Sequence, residues 1–188
     1  MEGPQDEADM SEMKIVYYPD EVLITPADKV NEVNEEIRKL LDDMAETMYL
    51  NKGLGLAANQ VGLLKALVCL DIPKNEEEGV KGSGLLQMVN PRIVESGGEI
   101  EYQEGCLSFP GLYIDVKRAS TVTFEYIDRN GSLQQVHSDG LLAVAIQHEI
   151  DHINGIVFID RLTPKDKKHA LKEYKRALRK QGISTKGL

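Results

Sequence analysis

Hydrophobic and polar positions change their period several times along the chain, and each period predicts an element. From about Asn31 to Leu50, apolar residues recur every three or four positions, which is typical of an amphipathic helix. Asn31 can cap this helix, because acidic residues follow it at the positive end of the helix dipole. The β-prone run 14–18 stops at Pro19, so we expect a short strand there.

The middle of the chain has the pattern of antiparallel strands. We expect a buried strand over 66–70, a second near 88–95 and a third over 121–127. Residues 128–131 predict a hairpin turn, because Asn-Gly tolerates the positive φ angles that such turns need. Residues 74–84 have the composition of an exposed loop. The order is therefore a helix, several antiparallel strands and then further helices.

A second helix, over about Asp139–Asn154, is apolar on nearly every face. Such a helix is normally buried, and Gly155 is well placed to end it in the left-handed conformation. Pro164 precedes a last, basic amphipathic helix that runs to about Gln181. We therefore predict an α+β fold, in which antiparallel β-sheets pack around a central buried helix and a further helix lies at the C-terminus.

Composition indicates an ordinary globular protein and argues against several other classes. Of the 188 residues, 41% are hydrophobic and 28% are charged, which is typical of globular domains. The aromatic content of 5%, the lack of Trp and the net charge of −9 argue against a protein that holds DNA. Two cysteines are too few for a disulfide scaffold, and no apolar run is long enough to cross a bilayer.

Charge is concentrated at the two ends of the chain. Residues 1–12 carry five acidic side chains and no basic one, so we expect 1–13 to be a disordered acidic leader. Residues 165–188 carry nine basic side chains and only two acidic ones. The segment between the two ends is therefore more acidic than the net charge suggests.

The strongest chemical pattern lies within the predicted buried helix, in the sequence QHEIDH (147–152). Ionisable side chains are costly in a core helix unless they have partners, and a metal ion would supply one. His148 and His152 are four positions apart, so both imidazoles lie on one face and can bind one ion. Glu149 can reach a water beside that ion, and Asp151 can orient a ligand. The alternative is a helix with two hydrogen-bonded structural histidines.

A catalytic site of this kind needs a third protein ligand. Downstream of His152 only His169 and Glu173 are candidates, and both lie in the basic last helix. Upstream, Cys106 follows a glycine in a polar turn, and a thiolate is a strong ligand for Zn²⁺ or Fe²⁺. We therefore predict Cys106 as the third ligand, and Cys69 as a core residue of a buried strand.

The small-residue segment GLGLAANQ (53–60) has two interpretations. It matches the G-x-G-x-x-A pattern of dinucleotide sites, but the strand and helix around it come in the reverse of the required order. Its glycines would instead let a bound peptide approach the backbone, while the Gln60 amide donates to a carbonyl oxygen. A tight packed turn with a surface glutamine remains the alternative.

Together, the three segments resemble the peptide deformylase family. Its motifs occur here in order as GLGLAANQ (53–60), EGCLS (104–108) and QHEIDH (147–152). The resemblance covers residues 14–164 and implies a catalytic domain there, followed by a basic C-terminal helix and tail over 165–188. It implies a metal-dependent hydrolase that removes the N-formyl group from the N-terminal methionine of newly synthesised polypeptides and releases formate.

The resemblance also implies roles for individual residues. One divalent ion would be bound, Fe²⁺ in the cell and Ni²⁺, Co²⁺ or Zn²⁺ in purified protein. Its ligands would be Cys106, His148 and His152. Glu149 would accept the proton of the attacking water and pass it to the leaving amine. Gln60 and the Leu107 backbone N–H would stabilise the oxyanion.

The implied substrate is an N-formyl-methionyl peptide extended along the glycine segment. Gly55 and Gly105 would lie near its backbone. The wall of the methionine pocket would be formed by Leu54, Val144 and Ala145. Arg118 resembles a basic residue that some members place near the peptide, with a solvated surface charge as the alternative.

The implied setting is the bacterial cytoplasm, with a processed organellar form as the alternative and neither DNA nor membrane as a partner. Because such an enzyme acts on nascent chains, residues 165–188 are a candidate surface for ribosomal RNA. The alternative is a basic helix packed on its own domain.

Competing functions are a metallopeptidase, which the thiol ligand opposes, and an inactive metal-stabilised docking module, which the presence of Glu149 and Gln60 opposes.

Overall fold

The computed structural model describes residues 12–75, 80 and 82–188. Within these residues there are three α-helices and seven β-strands. The helices are α1 (Glu35–Leu50), α2 (Gly140–Ile153) and α3 (Pro164–Lys180). The strands are β1 (Gly55–Ala57), β2 (Leu67–Leu70), β3 (Leu86–Gly97), β4 (Ile100–Gly105), β5 (Tyr113–Arg118), β6 (Thr121–Ile127) and β7 (Leu133–Asp139). Most of the predicted acidic leader lies outside the described residues and stays a prediction.

The strands form two antiparallel sheets. The larger has the order β1-β2-β3-β6-β7, and the smaller is the hairpin β4–β5. The predicted Asn-Gly turn joins β6 to β7, where Ile127 pairs with Leu133 and Gly131 has a φ of 83°. These sheets, with helices packed on them, confirm the predicted α+β class.

Strand β2 explains how the large sheet is covered on both faces. Alternate side chains of a strand point to opposite faces. Val68 and Leu70 accordingly pack in the cluster that contains the apolar side of α2, whereas Leu67 and Cys69 pack with α1. Cys69 is fully buried, with its Sγ 3.3 Å from the carbonyl oxygen of Leu41. Cys69 is therefore a core residue, as predicted.

Helix α3 packs on a separate apolar cluster beneath the small sheet. Its buried side chains are Ala170, Tyr174 and Leu178, spaced four residues apart on one face. The opposite face carries five exposed cations, here called the basic stripe: Lys165, Lys168, Lys172, Arg176 and Arg179. The helix is thus packed on its own domain while its outer face remains strongly basic.

Two local predictions are wrong. Helix α1 begins at Glu35 rather than Asn31, and its cap is Asn34, whose side chain accepts from the Ile37 N–H. The preceding chain is held extended because Asn90 hydrogen-bonds both backbone groups of Val30. Residues 14–18 form no strand, since their backbone bonds go singly to two different segments rather than to one partner strand.

The structure also contains strands that the pattern did not predict. Strand β1 is only three residues long, within the glycine segment, and the β4–β5 hairpin flanks the EGCLS turn. No helix in the described part of the chain is both long and apolar enough to cross a bilayer.

Candidate active site

The three predicted metal ligands lie side by side. Cys106 Sγ is 3.2 Å from His152 Nε2, which is 3.2 Å from His148 Nε2. Both histidines are buried on α2, and Cys106 directly follows β4. The alternative ligands His169 and Glu173 instead pair with each other on the exposed side of α3.

The donor atoms suit a divalent cation. Ligands that surround one ion tetrahedrally at ~2.0–2.3 Å lie roughly 3.3–3.6 Å from each other, close to the spacing found here. A thiolate with two imidazoles is a donor set that binds Fe²⁺, Ni²⁺, Co²⁺ and Zn²⁺. We conclude that these residues fit a metal ion.

The protonation of the two imidazoles favours the same conclusion. Burial lowers the pKa of His152 well below its usual value, so this imidazole is neutral, as a metal ligand must be. Burial opposes protonation of His148 as well, but the neighbouring Cys106 and Glu104 raise its pKa. Neighbours that favour a positive charge on His148 would also favour a metal cation beside it.

Glu149 is buried next to these ligands, and its Oε2 has no hydrogen-bond partner in the described structure. Burial raises the pKa of this carboxyl group to about 7. A Cβ atom on Gly55 would lie 2.3 Å from Glu149 Oε1. Gly55 is therefore required to make room for Glu149, which is a different reason from the predicted approach of a peptide.

Gln60 has its amide oriented by the backbone. Its Oε1 accepts from the Ala57 N–H at 2.8 Å, so the Nε2 is turned towards Cys106 Sγ, 3.4 Å away, and Ser108 Oγ, 3.3 Å away. Leu107 follows Cys106, and its N–H donates to no acceptor in the described part of the chain. The Leu107 N–H, which has no acceptor among the described residues, and the Gln60 amide, whose contacts with Cys106 and Ser108 are long, therefore both lie beside the candidate metal ligands.

A cleft of about 570 Å³ opens onto this group. The glycine segment forms one wall, the end of β4 with the following turn forms another, and α2 forms the floor. The predicted substrate residues that line it are Leu54, Gly55, Gly105, Val144 and Ala145. Three tyrosines that the sequence did not single out also line it: Tyr17, Tyr102 and Tyr113.

A buried ion-pair network behind the ligands was not predicted. Glu104 Oε2 lies 2.7 Å from His148 Nδ1, and Arg118 donates to both oxygens of Glu104. Although burial raises it, the pKa of Glu104 falls to about 2 because Arg118 and His148 hydrogen-bond to the carboxylate. Arg118 is thus buried in ion pairs and does not line the cleft, so the alternative of a solvated surface charge is wrong.

Asp151 does not orient a histidine directly. Its carboxylate pairs with Arg118 and Arg161, so it acts on His148 only through Arg118 and Glu104. Glu104 was the available indication in the sequence, because it lies two positions before the predicted ligand Cys106 and carboxylates commonly accept a hydrogen bond from metal-ligand histidines. Asn59 holds the glycine segment against the end of α2, since its side-chain amide donates to the His152 carbonyl oxygen.

Comparison with known proteins decides the family. The model of the polypeptide deformylase family matches residues 12–168. The chain belongs to this family. A peptide deformylase of Thermodesulfovibrio yellowstonii is 43% identical over 166 residues, covering 88% of this chain and 98% of that protein. One from Helicobacter pylori is 41% identical over 173 residues, covering 92% and 98%.

Solved structures agree with this membership. The crystal structure of a peptide deformylase from Ehrlichia chaffeensis matches with a TM-score of 0.84 and 37% identity, covering 92% of this chain and all of that one. The deformylase of Synechococcus elongatus, solved in complex with actinonin, matches with a TM-score of 0.76 and 40% identity, covering 92% and 87%. The predicted family is confirmed, and with it the activity: the chain is a metal-dependent hydrolase that removes the N-formyl group from new polypeptides.

Proposed function

We propose that formyl removal takes place in the cleft above Cys106, His148 and His152, with Glu149 as the general base. The observation that carries this proposal is the position of Glu149, a buried carboxylate with a free oxygen next to three converging metal-ligand atoms. A carboxylate whose pKa is raised towards neutrality is suited to exchange protons with water and with an amine.

A divalent cation would be held by the Cys106 thiolate and the Nε2 atoms of both histidines, and we propose Fe²⁺ in the cell. Purified protein would also accept Ni²⁺, Co²⁺ or Zn²⁺. When bound, such an ion supplies Lewis-acid chemistry, since it polarises a carbonyl oxygen and makes water a stronger acid.

The residues of this chain then perform the proton transfers and stabilise charge. Glu149 accepts the proton of the attacking water and delivers it to the nitrogen that leaves as the free amine, so formate and a methionyl peptide are released. The Gln60 amide and the Leu107 N–H donate to the oxygen on which negative charge develops. The Ala57 N–H supports this role because it fixes which end of the Gln60 amide points to the site.

The substrate is an N-formyl-methionyl peptide on a nascent chain. Its methionine would contact the apolar wall formed by Leu54, Val144 and Ala145, all of which line the cleft. Gly55 and Gly105 keep side chains out of the cleft, since a Cβ atom at either position would collide with Glu149 or with the Tyr113 ring. Backbone that carries no side chain can approach a bound peptide closely.

Residues 14–164 would form the catalytic domain, and the basic stripe on α3 would bind ribosomal RNA. The stripe supports this because its five cations are exposed, whereas the apolar face of α3 is already buried. Phosphate backbone is the complementary surface for such a row of Lys and Arg.

The curated relatives cited above are bacterial, which favours action in the bacterial cytoplasm.

The decisive experiment measures formate from formyl-Met-Ala-Ser with purified, metal-analysed protein prepared without oxygen. We expect about one metal ion per chain and stoichiometric release of formate and the free peptide. The same peptide with an N-acetyl group in place of the formyl group is the comparison substrate. Cleavage of an internal peptide bond in it, without formate release from formyl-Met-Ala-Ser, would instead identify a metallopeptidase. A metal-loaded protein that released no formate would contradict the proposal.

A further inference from the structure

The turn that carries the candidate oxyanion donor is held from behind by a buried tyrosine of the C-terminal helix. Tyr174 is fully buried, and its hydroxyl shares its single proton between the carbonyl oxygens of Tyr18, 3.0 Å away, and of Ser108, 3.4 Å away. The Ser108 oxygen also accepts from the Tyr18 N–H at 3.0 Å. Burial raises the pKa of Tyr174, so the hydroxyl keeps its proton and remains a donor.

Two peptide planes connect this hydroxyl to the Leu107 N–H. The Ser108–Phe109 plane has its oxygen held by Tyr174, and its N–H donates to the Cys106 oxygen at 2.9 Å. That oxygen belongs to the Cys106–Leu107 plane. Because a peptide group is planar and trans, fixing its oxygen also fixes the direction of its N–H. The direction of the Leu107 N–H therefore depends on the two contacts of the Ser108 oxygen, one with the Tyr174 hydroxyl and one with the N–H of Tyr18, whose own carbonyl oxygen Tyr174 also contacts.

Aromatic packing makes the same connection stiff. The Phe109 ring stacks on Tyr18 at 4.8 Å and lies 5.0 Å from the rings of Tyr174 and Phe158. Phe158 in turn lies 5.7 Å from His148, edge to face. Close-packed rings resist small displacements, so a shift of Tyr174 would reach both the turn and a metal-ligand histidine.

We propose that Tyr174 is a positioning residue, which orients the Leu107 N–H through the Ser108 and Cys106 carbonyl groups and so couples α3 to the reaction. This inference rests on the proposed function for its effect on turnover, but not for its effect on the turn itself. A second contact with the turn comes from the end of α3 and supports it, since Nε2 of the C-cap residue Gln181 donates to the Pro110 oxygen at 3.3 Å.

The test uses the full-length, metal-loaded chain with the substitution Tyr174→Phe, which removes the hydroxyl and keeps the ring. We expect kcat for formyl-Met-Ala-Ser to fall about fivefold with little change in KM, since the lost contact acts on charge that develops only in the transition state. Hydrogen exchange of the Phe109 amide, measured by NMR, should accelerate by about the same factor.

The matched control is Ala170→Gly, which weakens α3 on the same buried face but removes no hydrogen-bonding group. It should lower the melting temperature yet leave kcat and Phe109 exchange unchanged. Gln181→Ala, on the exposed side, should lower kcat in the same direction by about twofold. If Tyr174→Phe lowers only the melting temperature, as the control does, the inference is wrong. If wild-type protein releases no formate, the proposed function fails, while Phe109 exchange still decides the role of Tyr174.

Discussion

His148 Nδ1 lies 2.7 Å from Glu104 Oε2, so a carboxylate from the end of β4 orients a histidine that belongs to α2. Arg118 holds this carboxylate from the other side, at 2.7 Å and 2.9 Å. A histidine that donates its Nδ1–H to a carboxylate presents the lone pair of Nε2 to an ion and is a more basic ligand. Glu104 therefore acts on the candidate metal site without being one of its ligands.

We expect Glu104→Gln to weaken metal binding by about 10–100-fold, because the amide is a poorer acceptor for His148 and leaves Arg118 only Asp151, which Arg161 shares, as a carboxylate partner in the described structure. The measurement is titration with Zn²⁺ against a competing chelator. Glu101→Gln is the control, since Glu101 lies in the same strand with an exposed side chain. Equal affinities in the two variants, with both folded by circular dichroism, would show that Glu104 does not tune the ligand.

Glu149→Gln separates metal binding from proton transfer. The amide fills the same space but cannot accept a proton, so we expect kcat to fall by about 10²–10⁴ while the metal content stays at the wild-type value. Metal analysis and formate release on the same preparation check both parts. Turnover near the wild-type rate would show that Glu149 is not the general base.

Gly55→Ala tests whether the glycine segment makes room for Glu149. The new methyl group would lie 2.3 Å from Glu149 Oε1, so the carboxylate must shift. We expect a loss of kcat of at least about tenfold with retained metal, because small displacements of a catalytic group are costly. Gly97→Ala is the control, since its nearest contact is the Thr121 hydroxyl at 3.2 Å, remote from the cleft. Similar activity of both variants would contradict the steric argument.

Much of this fold could be predicted because its indications are local. The apolar character of α2 and the Asn-Gly turn between β6 and β7 depend on residues within a few positions of each other. The ligand histidines follow from the same logic, since the i, i+4 spacing on a helix fixes their relative position. The Cys106 ligand was predicted from the chemistry of its thiolate and the lack of a better-placed third ligand, because chain spacing alone does not bring a turn to a helix.

The parts that escaped prediction depend on contacts between distant segments. Arg118 looked like a surface charge because its partners come from other elements, Glu104 across the β4–β5 hairpin and Asp151 on α2. The start of α1 was placed wrongly because Asn90, sixty residues away, holds the chain before it. The pattern of a single sequence does not show which distant residues pair with each other. Predictions from it therefore fail most readily at buried polar networks.

The basic stripe gives a prediction that separates docking from folding. Deleting residues 165–188 would remove Ala170, Tyr174 and Leu178 from the core, so any loss of ribosome binding would be ambiguous. The double substitution Lys172→Glu with Arg176→Glu changes only exposed side chains. We expect it to weaken co-sedimentation with ribosomes by at least about tenfold at low salt, with a smaller difference as salt is raised.

The control for this pair is Lys14→Glu with Lys29→Glu, which changes the net charge by the same amount at exposed sites outside α3. Binding through the stripe predicts that the control retains ribosome binding, because a local row of cations rather than the total charge contacts the phosphates. Equal loss in both double variants would indicate unspecific attraction, and no loss in either would leave α3 as a helix that only packs on its own domain. None of the four substituted residues lines the cleft, so kcat on formyl-Met-Ala-Ser should stay unchanged in both double variants. An unchanged kcat would show that the active site is intact while ribosome binding is measured.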